Sequence, residues 1–246
     1  MKNNQIVKQA LNYLLDDLKT THKDNLAMVV VYGSAATGEY TERRSDYNLL
    51  IALHRITPED LRLAQAPMRE WHRLGHPLPV YFTVSELQNA ADVFPIEFHQ
   101  MQKARIVVYG EDLLSNLLIH NEYLRHQAEY ELRSKLLQLR RLYIPSSNSI
   151  ERLSDLMMKS LTSFASLFRA VLLLQGIEPP ITKIECVRLI AQKLNLNDKP
   201  FERIFVLNNK DSPKLSETEA HTLFGDYIVE IEKVIDFVDK LKKPTI

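Results

Sequence analysis

Residues 28–53 read MVVVYGSAATGEYTERRSDYNLLIAL, and the order of residue types in this stretch decides how the first half of the chain folds. Met28 to Val31 is a continuous apolar run, the mark of a buried strand, and Leu49 to Leu53 is another. Gly33 permits a sharp turn where the first strand ends. Ser34 is placed to cap a short helix, whose free N–H groups and hydroxyl suit a triphosphate. Eleven residues separate Ser34 from Asp46, enough for the chain to return and pair beside the first strand. Asp46 and Asn48 stand two apart on that second strand, so both point to one face, toward the turn.

Two common phosphate motifs are excluded. Gly33 and Gly38 enclose four residues, as in GxxxxGK[ST], but Glu39-Tyr40 follow, so the phosphate lysine and the metal-binding hydroxyl are absent. No GxGxxG occurs either. The stretch resembles the signature of the nucleotidyltransferase superfamily that includes DNA polymerase β: Gly-Ser, a loop, then Asp-x-Asp/Glu on a strand. Gly33-Ser34 after an apolar strand, the spacing, and Ser45-Asp46 leading into Leu49-Leu50-Ile51 carry the resemblance. More loosely, DVFPIEFHQMQKARIVVYGEDLL (92–114) and the helical second half resemble aminoglycoside-type nucleotidyltransferases with a C-terminal bundle.

The resemblance implies that Gly33 and Ser34 contact the nucleotide phosphates. It implies that the strand acids hold Mg²⁺, which positions the triphosphate and activates the attacking hydroxyl. The expected activity is binding of a Mg²⁺-bound nucleoside triphosphate and transfer of NMP to a hydroxyl acceptor held between the domains. The acceptor is left open between a small molecule such as an aminoglycoside, a protein side chain and an RNA end.

One position departs from that pattern. Two metal ions about 3.5–4 Å apart need negative bridging oxygens, and Asn48 offers one neutral carbonyl oxygen. The strand PVYFTV (79–84) holds no acid, and Pro79 stands where the related pattern often has one; Glu86 lies just beyond it. Glu97, within FPIEF, is the better candidate for the third acid, as ligand or base. The expected site is therefore Asp46 and Glu97 for catalysis, Asp46 and Asn48 for metal, and Gly33, Ser34 and Arg44 for nucleotide. Arg43 and Arg44 lie in the loop, within reach of a phosphate, although solvent exposure is the default for such cations. The alternative is a catalytically weakened nucleotide-binding or antitoxin-like interaction module.

Beyond this stretch the chain reads as a small mixed sheet with helices, an α/β (α+β) domain over 1–115, followed by an all-α helical bundle over 121–246. Val80 to Val84 and Arg105 to Tyr109 are the further strands, and Thr57-Pro58 opens a helix toward Trp71. Leu124, Ala128, Leu132, Leu136, Leu139 and Tyr143 form one helical stripe, broken by Pro145-Ser146-Ser147-Asn148-Ser149. Ile150, Leu153, Met157, Leu161, Phe164, Phe168 and Val171 form the next. Further helices are expected around Lys183–Leu194, Pro200–Leu207 and Glu217–Leu241. The bundle also resembles HEPN-type bundles, but no Arg in 121–246 is followed at four to six residues by His, so ribonuclease activity is disfavoured.

Lys+Arg and Asp+Glu both number 31, giving a formal net charge of +0 and no global field for a polyanion. A nucleic-acid partner is disfavoured; Arg133, Lys135, Arg140 and Arg141 make a local basic face whose default is solvation. The single cysteine, Cys186, excludes an internal disulfide and fits a reducing cytoplasm. The N-terminal segment reads as an amphipathic helix and not as a leader, and Leu161 to Ile177 as a core helix and not as a membrane span. The spacing of His72 and His76 invites a metal pair, but Gly75 and Pro77 end the helix between them. The bundle is the candidate surface for a homodimer.

Overall fold

The computed structural model describes residues 2–37, 47–180, 182–207 and 215–241. The chain divides into two compact units, residues 1–120 and 121–246. In the first, α1 (Lys2–His22) leads through a short helical turn into β1 (Leu26–Tyr32). There follow α2 (Ser34–Thr37), β2 (Asn48–Leu53), α3 (Pro58–Leu63), α4 (Gln65–Arg73), β3 (Val80–Thr83), α5 (Val84–Asn89), α6 (Pro95–Lys103) and β4 (Arg105–Gly110). The strands make a four-stranded mixed sheet in the order β3-β2-β1-β4. β1 is antiparallel to β2 and to β4, while β2 runs parallel to β3.

Both central strands are apolar except for Asn48 at the start of β2, and helices cover both sheet faces. Val29, Val31, Leu49, Ile51 and Leu53 pack with Leu14, Leu18, Met68 and Trp71 from α1 and α4. Met28, Val30, Leu50 and Ala52 pack with Leu87, Phe98 and Met101 from α5 and α6. Two sequence expectations shift. The strand expected to reach Val84 stops at Thr83, whose hydroxyl accepts from the Glu86 N–H at 3.0 Å while Glu86 accepts from the Thr83 N–H at 2.7 Å. This reciprocal cap starts a helix at once. The helix opened by Thr57 and Pro58 carries the same kind of cap with Asp60 and is interrupted at Ala64, so Trp71 lies on a separate helix.

The second unit holds α7 (Asn121–Ser146), α8 (Ile150–Leu174), α9 (Lys183–Leu194), α10 (Lys199–Val206) and α11 (Glu217–Lys240). The two expected stripes are its core: Leu124, Ala128, Leu132, Leu136 and Leu139 face Leu153, Met157, Leu161, Phe164 and Phe168 in the buried interior. α7 ends at Ser146, within the Pro145–Ser149 break read from the sequence, and Ser147 N–H still reaches the Tyr143 carbonyl at 2.8 Å. Among the described residues α8 is the one helix long and apolar enough to cross a membrane, and its apolar stripe lies buried in the bundle. Arg169 on α8 donates to the Pro180 carbonyl at 2.7 Å, fixing the approach to α9. On the basic face, Arg133 pairs with Glu129 at 2.9 Å and Asp239 at 3.5 Å, and Arg140 with Glu232 at 2.5 Å.

Gly110 has no tolerable substitute. Its φ is +79°, and a Cβ there would meet the Ala27 carbonyl oxygen at 1.9 Å, a backbone atom held in the sheet. Gly110→Ala should cost about 3 kcal/mol or more, and lower the melting temperature by about 10 °C or more. Thermal denaturation followed by circular dichroism checks this; an unchanged midpoint would mean that the β1–β4 pairing is looser than the geometry requires.

His22 gives the first unit a pH dependence. It is buried, neither ring nitrogen has a hydrogen-bond partner, and its ring stands edge-on to Tyr81 at 6.3 Å. Burial lowers its pKa, against the opposing pull of Asp60. The folded state thus binds the proton less readily than the unfolded chain. The stability from His22 is present above the unfolded value near 6.5 and is lost as pH falls toward the lowered folded value. Urea denaturation between pH 5 and 7 should show this loss, and His22→Phe should flatten it.

Candidate functional site

The site grows from the end of β1. Tyr32 is the last residue of the strand, paired with Asn48 on one side and Arg105 on the other. Gly33 then turns the chain with φ +80°, a left-handed conformation that side chains rarely adopt. The Gly33 N–H is held by the Ala104 carbonyl at 3.1 Å, and the Gly33 carbonyl accepts from Ala36 at 2.9 Å, which closes the first turn of α2. Ser34 is the first residue of that helix, one position inside the cap expected from the sequence. Asn48 opens β2 directly beside the turn. A Cβ on Gly33 would lie 3.3 Å from Asn48 Nδ2, so the carboxamide rests on the bare glycine. Conformation and close approach both require glycine here.

Alternation along β2 places Asn48 on the face of Leu50 and Ala52, the face covered by α5 and α6. Tyr32 packs on that same face. Glu97 lies on α6, exposed to solvent, and its charge reaches Tyr32. Burial first, and the Glu97 carboxylate second, push the Tyr32 hydroxyl above its ordinary pKa. Gly33 and Asn48 therefore meet at one end of one sheet face beside Tyr32, and the Glu97 charge acts on Tyr32 from α6. Glu86 is occupied as the cap of α5. β3 supplies no acid to this face: Val80 lies beside Leu50, and Phe82 packs into the core. Asp46, Arg43 and Arg44 lie outside the described residues.

Sequence reading missed two neighbours. Tyr32 carries a signal in hindsight, since it follows Val30 by two residues and so shares its face. Arg105 does not: only the fold brings β4 beside β1. Its guanidinium is clamped on Asp112 at 2.7 and 2.9 Å and also donates to the Gln102 carbonyl. Arg105 in turn holds the Asp112 carboxyl below its usual range, chiefly by direct hydrogen bonding. His72 and His76 form no metal pair: His76 is buried against Trp71, ring centroids 4.3 Å apart, after α4 has ended. Among the described residues no three His, Cys, Asp or Glu side chains gather as a metal site. Asn48 and Glu97 are oxygen donors of the kind a hard cation such as Mg²⁺ accepts.

The comparisons with known proteins agree with this geometry. Residues 11–113 match the model of the nucleotidyltransferase domain family. Over that stretch the chain resembles the nucleotidyltransferase superfamily. Spectinomycin adenyltransferase from Enterococcus faecialis, whose crystal structure contains ATP and spectinomycin, superposes with a TM-score of 0.59 at 14% identity. That match covers 95% of this chain and 99% of the adenyltransferase, so the shared fold includes both the nucleotidyltransferase domain and the helical bundle. A nucleotidyltransferase-like protein from Exiguobacterium sibiricum matches at a TM-score of 0.38 and 11% identity, over 94% of this chain and 75% of its own. No curated protein sequence matches.

Proposed function

We propose that the protein is a cytoplasmic nucleotidyltransferase that binds a Mg²⁺-bound nucleoside triphosphate and transfers NMP to a hydroxyl acceptor. The Asn48 side chain lying against the left-handed Gly33 turn, beside the start of α2, is the observation that most supports this reading. In this proposal Gly33 and Ser34 present backbone and hydroxyl donors to the phosphates, and Arg44 adds a guanidinium. Asp46 is the principal metal ligand, Asn48 a neutral ligand, and Glu97 the third ligand or the base that takes the acceptor proton. Mg²⁺ would neutralise triphosphate charge and hold it in line with the acceptor oxygen.

Asn48 also favours a second reading. A neutral donor in place of a carboxylate weakens the binding of a second ion, which fits a nucleotide-binding module that has lost most of its turnover. Titration calorimetry with ATP and GTP, with and without Mg²⁺, followed by transfer of radiolabelled NMP to a panel of acceptors, separates the two. An aminocyclitol such as spectinomycin belongs first in the panel, given the substrate of the structural neighbour. Binding with transfer supports the enzyme, binding alone supports the module, and neither sinks both.

A further inference from the structure

On the side turned away from the bundle core, α7 carries a line of large apolar side chains that remain in solvent. Tyr123, Tyr130, Leu137 and Ile144 are 41%, 69%, 63% and 73% exposed, and each follows the previous one by seven residues. At 3.6 residues per turn they lie opposite the buried stripe of Leu124, Ala128, Leu132, Leu136 and Leu139. A single exposed leucine is ordinary; here four large side chains at seven-residue spacing line one side of a 26-residue helix, with Gln127, Ser134 and Arg141 between them. A seven-residue repeat drifts by about 20° per heptad, so the seam slants and suits a second helix wound on it with a left-handed twist.

The seam is its own complement. About a two-fold axis between Arg133 and Ser134, an antiparallel copy sets Tyr123 against Ile144 and Tyr130 against Leu137. The small Ser134 lies near the crossing point, where a short side chain lets the backbones approach. The same operation brings Arg141 to His126 of the second copy, one helical turn from its Glu122. Arg141 is exposed and enters no ion pair among the described residues, while Glu122 has only a 4.0 Å contact to His126. Arg133 and Arg140 are already held by Glu129, Asp239 and Glu232. A parallel pair would instead set Arg141 against Arg141. We infer that a second copy of this chain docks antiparallel along α7. This interface does not depend on the nucleotide reading.

Sedimentation equilibrium of the full chain across a range of concentrations tests it. The wild type should show a reversible monomer–dimer equilibrium. Tyr130→Glu with Leu137→Glu should raise the dimer dissociation constant by at least about tenfold. Their exposure means the circular dichroism melt should not move. Arg141→Glu and Glu122→Arg should each weaken the dimer, and the two together should restore it, since the swap rebuilds the pair with reversed signs. A wild type that stays monomeric at the highest concentration overturns the inference. So does a dimer indifferent to the α7 substitutions, and so does failure of the charge swap to rescue.

Discussion

Asn48→Asp should raise NMP transfer by about a hundredfold to a thousandfold, the change expected if the missing carboxylate withholds about 3–4 kcal/mol of transition-state stabilisation. The substitution barely alters volume, and the side chain already lies beside the Gly33 turn, so the fold should accept it. If Asp46 and the carboxylate introduced at position 48 bind one cation cluster, as proposed, they repel each other without it. The metal-free variant should therefore melt lower than the wild type, and Mg²⁺ should recover the loss. Melting temperatures measured against Mg²⁺ concentration, beside the radiolabelled transfer assay, read both effects. Tighter Mg²⁺ binding with no gain in transfer would remove Glu97 as third acid, because metal capacity would be restored without completing the site. An unchanged Mg²⁺ response would mean that residue 48 takes no part in metal binding, and the site assignment would fall.

Asp46→Asn should produce the opposite result. It removes the proposed principal metal ligand, so nucleotide affinity should lose its dependence on Mg²⁺, and any transfer should fall by about a hundredfold or more. Thermal stability of the metal-free protein should hold or rise if that carboxylate serves only to bind cation. Calorimetric titration of ATP with and without Mg²⁺ into wild type and variant decides the matter. If the variant keeps the wild-type Mg²⁺ response, the cation is held by residues other than Asp46. Asn48→Asp and Asp46→Asn together also test the alternative module: a pure nucleotide binder should respond to both in affinity and to neither in turnover.

The sequence by itself determined the local elements. Continuous apolar runs gave β1 and β2, because a strand covered on both faces has no reason to alternate. The 3.6-residue stripes gave α7 and α8, because each helix buries a single side. Gly33-Ser34 followed by Asp46 gave the family resemblance, since a left-handed turn at a strand end admits few residues other than glycine. The strand boundary that moved, at Thr83, moved for the local reason of capping. What only the tertiary structure decided is how distant segments meet. The parallel pairing of β2 with β3, and the insertion of β1 between β2 and β4, depend on which strands bury one another. No periodicity within a strand records that choice. That pairing brings Arg105 beside Tyr32, and α6 over the Asn48 face, so that Glu97 comes within electrostatic reach of Tyr32. A glutamate on a helix acts on a tyrosine 65 residues earlier on a strand only because the core between them closes.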